Sequence, residues 1–104
     1  MNRKIRLSNR ASRKLDKLLI FLEENWSLKI KKDFLLKFEA SLDHIQKLPE
    51  SFPESNKIAG LRKCVITRQT TIFYSYSDTA IFIVSLFDNR QNPNSLNKEI
   101  KHPD

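Results

Sequence analysis

"LRKCVITRQTTIFYSYSDTAIFIVSLFDNRQNP", residues 61–93, is where the chain changes period. Three segments in it, LRKCVIT, TIFYSYS and AIFIVSLF, are rich in β-branched and aromatic residues and read as strands. Arg68–Gln69 and Ser77–Asp78 are short enough to be hairpin turns, which makes the three strands antiparallel. The last strand is apolar on both faces, with Ile81, Ile83 and Phe87 on one and Phe82, Val84 and Leu86 on the other. A strand of that kind belongs in the interior of a sheet, with a neighbour on each side. After it come Asp88, Asn89, Arg90, Gln91 and Pro93, which read as a turn carrying hydrogen-bonding groups.

Upstream of this stretch the period is helical. Ala11, Leu15, Leu18, Leu19, Leu22 and Trp26 form one apolar stripe of a helix capped by Ser8 or Asn9 and ending near Asn25. Arg10, Arg13, Lys14 and Lys17 lie opposite the stripe, either as a solvated face or as a footprint for an acidic partner. Ser27 caps a second helix that ends near Leu48, with Ile30, Phe34, Phe38, Leu42 and Ile45 inward. Asp33 with Lys37 and Asp43 with Lys47 stand four apart on its exposed side. The junction is short, so the helices form an antiparallel hairpin. Pro49 and Pro53 bracket the exit from the second helix. Before the helices, RKIRL at residues 3–7 alternates apolar with charged and is the natural strand to flank the last one. The expected fold is α+β in the order β-α-α-β-β-β, a helical hairpin on a small, mainly antiparallel sheet. Residues 1–93 form one domain, and 94–104 a polar tail.

Composition narrows the function classes. The chain has 104 residues and a net charge of +7, which suits nucleic acid, ribosomes, an anionic membrane or an acidic protein. No apolar run is long enough to span a membrane, and the basic start lacks the apolar segment of a signal peptide. One cysteine precludes an internal disulfide and fits the cytoplasm. Two histidines, His44 and His102, and Cys64 have no metal-ligand spacing, and a single glycine makes no phosphate loop. No cofactor is expected. Cys64 reads as a small buried hydrophobe and His44 as a boundary residue. The cations Arg62, Lys63, Arg68 and Arg90 lie on or beside adjacent strands, with Tyr74 and Tyr76 interleaved. They are either strand-end charges over core tyrosines, or a set that holds phosphate and stacks on bases.

Three stretches together resemble the RelE/ParE superfamily of type II toxins: ASRKLDKLLIFLEENWS, FLLKFEASLDHIQKLPESFPE and GLRKCVITRQTTIFYSYSDTAIFIVSLFDNRQNP. They match the leading helix with its tryptophan, the long helix leaving through Leu-x-x-Pro, and three strands ending in arginine and proline. The resemblance spans about residues 3–93. It implies a toxin neutralised by a cognate antitoxin, and an oligomer with it. RelE-like members cut messenger RNA on the ribosome, whereas ParE-like members inhibit DNA gyrase without being nucleases. Cleavage would need a base, an acid and phosphate-binding cations. For such cleavage the chain supplies Arg90, Arg62 and Arg68 as candidate phosphate-binding cations, of which Arg90 matches the family's arginine after the last core strand, and Glu54, in the loop before the second strand, as a candidate base. RNA-cutting members often carry a histidine or tyrosine after the last strand, and here the tail offers only His102. That departure favours the gyrase branch. Lys63, Tyr74, Tyr76, Gln91, Arg10, Arg13 and Lys17 are candidates for contacting a partner or nucleic acid. A non-toxic RNA- or protein-binding module on the same fold is the competing class.

Overall fold

The computed structural model describes residues 3–90. Its elements are β1 (Lys4–Leu7), α1 (Asn9–Asn25), α2 (Leu28–Lys47), a 3-10 turn (Pro49–Ser51), β2 (Arg62–Val65), β3 (Thr70–Tyr76) and β4 (Ala80–Asp88). The sheet order is β1-β4-β3-β2. β1 runs parallel to β4, and the other two pairings are antiparallel. The doubly apolar strand is therefore interior, and the N-terminal strand flanks it, as the pattern of residues predicts.

Serines set the helix starts. Ser8 Oγ accepts from Ala11 N–H at 3.0 Å and Ser27 Oγ accepts from Ile30 N–H at 3.1 Å, each satisfying one of the free donors of a first turn. Ser8 also donates to the Val84 carbonyl at 2.7 Å, so the same side chain ties α1 to the middle of β4. The hairpin packs on one sheet face. Ala11, Leu18 and Leu22 from α1 and Phe34, Phe38 and Ile45 from α2 meet Cys64, Ile72, Tyr74, Ile81, Ile83 and Leu86. Fully burying one such leucine or isoleucine is worth about 1.5–3 kcal/mol.

Three expectations are corrected. Trp26 is 58% exposed at the hairpin tip, because α1 ends at Asn25 and the chain turns before the indole can reach the core. Asp33 pairs with Lys29, one turn earlier, at 3.0 Å. The third concerns β4. Phe73 lies opposite Ser85, yet its neighbour Tyr74 lies opposite Ile83, so Val84 is an extra residue in a β-bulge. A bulge of one residue inverts the alternation beyond it. Leu86 joins the helix-facing core, and Phe87 moves to the outer face beside Lys63, Val65, Thr71 and Phe73. Asp88 is carried to the inner side, where its carboxylate has no solvent exposure.

Candidate functional site

The sheet separates the cations that the sequence places on neighbouring strands. Arg62 stands opposite Tyr74 on β3, whereas Arg90 reaches Thr70, four residues away along the same strand. At a rise of about 3.3 Å per residue that is roughly 13 Å, too far for both to clamp one phosphate. Lys63, by strand alternation, points to the opposite face from Arg62 and lines a cleft there with Val65, Phe73 and Phe87. Arg68 is exposed in the β2–β3 turn.

At the first end, Glu54, Arg62 and Tyr76 come together. Glu54 and Arg62 form an isolated bridge, and their side chains approach to 4.0 Å. The Arg62 guanidinium donates to the Phe52 carbonyl at 2.6 Å and the Glu50 carbonyl at 3.3 Å, which holds it against the loop. It also lies 5.9 Å from the centre of the Tyr76 ring, and Arg3 lies 5.7 Å from the same ring. Arg3 is a residue that sequence reasoning missed. It is positioned by donating to the carbonyls of Ser77 at 2.8 Å and Gln46 at 3.0 Å, contacts 74 and 43 residues away in sequence with no local signal. Glu54 itself is 82% exposed.

Tyr74, expected among the binding residues, is instead part of the core. It is fully buried and donates from its hydroxyl to the Pro49 carbonyl at 2.6 Å, leaving no ring face for a base. Burial first, then the neighbouring Cys64, pushes its phenol up to about 12. Cys64 is buried as expected, and burial raises its thiol against a smaller opposing hydrogen bond with Ser41. The imidazole of His44 packs on Phe52 and bonds Ser51 Oγ at 3.1 Å.

At the second end, Arg90 is committed to Asp88. Its Nη2 and Nε donate to the two carboxylate oxygens at 2.6 and 3.1 Å, and its own backbone N–H adds a third bond at 2.9 Å. Thr70 Oγ1 donates to the same carboxylate. Burial works to raise the Asp88 pKa and is the largest single effect, but the bonds from Arg90 and Thr70 together outweigh it, and the carboxyl sits below its ordinary range. The result is a closed, charge-neutral clasp that pins the end of β4 to the start of β3. Thr70 and Asp88 were not singled out as partners of Arg90 by sequence, because their pairing depends on register.

On α1, Arg13 and Lys17 are exposed and Arg10 is half-buried. Gln91 and His102 lie outside the described residues. Among the described residues no cluster of His, Cys, Asp or Glu could hold a metal, and no helix is long and apolar enough to cross a membrane.

Three solved structures with this architecture are of a toxin or of a toxin–antitoxin system. A chromosomal ParDE toxin–antitoxin system from P. aeruginosa superposes with a TM-score of 0.69 at 11% identity, covering 83% of this chain and 95% of that one. A copper-bound mutant toxin from Helicobacter pylori gives 0.56 at 19% identity, over 88% and 99% of the two chains. The toxin–antitoxin complex DinJ-YafQ of E. coli gives 0.51 at 17%, over 88% and 98%. Among curated proteins, none matches the chain at a significant level. The fold is thus that of the small α+β toxins of type II toxin–antitoxin systems. Residues 5–93 match the ParE toxin of the type II system parDE, and the chain belongs to that family.

Proposed function

We propose that the chain arrests growth in the cytoplasm by inhibiting DNA gyrase, and that a cognate antitoxin holds it in check in an oligomeric complex. The observation that carries the reading is the Arg90 clasp. The cation at the end of the last core strand is neutralised by a buried carboxylate. Released from that pair it would leave Asp88 charged and desolvated, which is costly. A phosphate would have to compete with Asp88 for it. Membership of the ParE family supports the same branch. The antitoxin partner is supported by the family and by relatives solved as toxin–antitoxin systems. Such a pair would also stabilise a plasmid that encoded it.

Induced expression tests the proposal in cells. Growth should stop, reporter plasmid should lose supercoils, and the antitoxin encoded alongside should relieve both. Growth arrest with normal plasmid topology and shortened messages would overturn the gyrase reading, and no arrest in the native host would favour the non-toxic binding module.

One observation favours the second reading, RelE-like cleavage of ribosome-bound message. Glu54, Arg62 and Tyr76 share one surface hollow and could supply a carboxylate, a cation and a phenol around a phosphodiester. If they act, Glu54→Gln and Arg62→Ala should each abolish message cleavage. Message loss that persists in both variants would remove this reading.

A further inference from the structure

A hollow of about 260 Å³ opens between the tip of the helical hairpin and the β2–β3 turn, at the end of the sheet where Arg90 stands. Trp26, Ile30 and Phe34 form its apolar side. Phe34 is buried, but Trp26 is more than half exposed, because α1 ends just before it. A tryptophan so placed offers a flat aromatic face and one N–H donor.

The polar side divides into groups already engaged and groups still open. Arg90 gives Nε and Nη2 to Asp88, and Asp33 holds Lys29 at 3.0 Å, so both of these charges are balanced. Thr67 Oγ1 donates to Gln69 Oε1 at 3.3 Å and accepts from the N–H groups of Gln69 and Thr70. Three donors around the hollow are left: the Lys37 ammonium, the Gln69 side-chain Nε2 and the Trp26 indole N–H, none of which is bonded among the described residues. The hollow thus carries one uncompensated positive charge, a surplus of donors and an open aromatic face. A ligand that matches it brings a negative charge, acceptors and a planar ring.

We propose that this hollow binds a mononucleotide. The base stacks on Trp26 beside Ile30 and Phe34, Gln69 Nε2 donates to an acceptor on the base edge, and the phosphate meets Lys37 at the rim. The volume lies just below the range of about 300–1,000 Å³ typical of small-molecule pockets, which suits a base inside with its sugar and phosphate outside. Arg90 stays on Asp88 throughout, so ligand and clasp do not compete. An inorganic anion would satisfy Lys37 and leave the ring uncovered, and an uncharged ring would do the reverse. An aromatic carboxylate has no acceptor on its ring for Gln69. A nucleic-acid strand carries the same base and phosphate at its end, and strand length separates the two sources. Neither gyrase nor message enters the inference, which stands or falls apart from that choice.

Trp26 is the one tryptophan of the chain, so the full protein reports on its own site. Guanosine or adenosine monophosphate should quench its fluorescence saturably. Inorganic phosphate and the free nucleosides should each bind about tenfold more weakly or worse, because each lacks half of the contacts. Lys37→Ala should raise the dissociation constant about fivefold or more, whereas Lys32→Ala, an exposed lysine of α2 outside the hollow, should leave it unchanged. Trp26→Ala, followed by calorimetry, should weaken binding about fivefold or more and provides the second variant. A trinucleotide with a terminal phosphate should bind no more tightly than the mononucleotide. Quenching that never saturates, equal effects of Lys37→Ala and Lys32→Ala, or phosphate binding as well as the nucleotide would overturn the site. A trinucleotide that binds about tenfold more tightly would overturn the mononucleotide as its occupant.

Discussion

Among the described residues, Arg90→Ala removes the cation set against the buried Asp88 carboxylate and leaves Thr70 as its side-chain partner. Breaking a buried pair from one side costs about 3–5 kcal/mol, because the stranded charge stays desolvated. Arg90 keeps 17% of its side chain exposed, so some water reaches the site and the lower end, about 3 kcal/mol, is the expected loss. For a domain of this size that lowers Tm by roughly 12–24 °C. The assay is urea unfolding followed by circular dichroism, run as a double-mutant cycle with Asp88→Asn. The double variant should recover much of the loss, because a neutral amide needs no counter-ion and can still bond Thr70. An unchanged unfolding midpoint in Arg90→Ala, or strictly additive effects in the cycle, would refute the clasp. The same result bears on function: loss of toxicity in Arg90→Ala should track loss of folded protein, and a stabilising solute should restore both.

Other perturbations follow from the same contacts. Asp88 has a folded pKa below its unfolded value, so its contribution is present above an unfolded pKa of about 3.9 and fades as pH falls through the folded value; Asp88→Asn should flatten that acid limb of the stability curve. Tyr74 titrates the other way. Its folded pKa of about 12 against an ordinary 10.0 gives stability that is full below pH 10 and lost between about 10 and 12, a change of about 2–3 kcal/mol. Tyr74→Phe should abolish that alkaline loss while costing about 1–3 kcal/mol at neutral pH, because the buried Pro49 carbonyl loses its donor. Leu18→Ala, at a site with no exposure, should cost about 3–5 kcal/mol in urea unfolding.

Much of the architecture was readable from local chemistry. Ser8 and Ser27 act within three residues of themselves, and the change from helical to alternating period marks where the sheet begins. The interior position of β4 followed from its two apolar faces, and β1 beside it from the alternation in RKIRL. What was not readable depends on register. A single bulge at Val84 moves Leu86 inward and Phe87 outward, and no local pattern distinguishes that from regular alternation. For Arg90 and Tyr74 the outcome turned on register and on contacts across the sheet. Arg90 reads as a free cation until Asp88 and Thr70 are brought to it, and Tyr74 reads as a stacking ring until its hydroxyl meets Pro49, 25 residues away. Arg3 was invisible as a site residue because its contacts lie on the far side of the hairpin and in the β3–β4 turn.

Whether this ParE-family chain inhibits gyrase, as proposed, or cuts message is decided by two reactions run side by side. Purified protein should be added in parallel to a gyrase supercoiling reaction and to ribosomes carrying a defined message. Supercoiling that falls with protein concentration while the message stays full length is the predicted result. A cut message with supercoiling unaffected would contradict it.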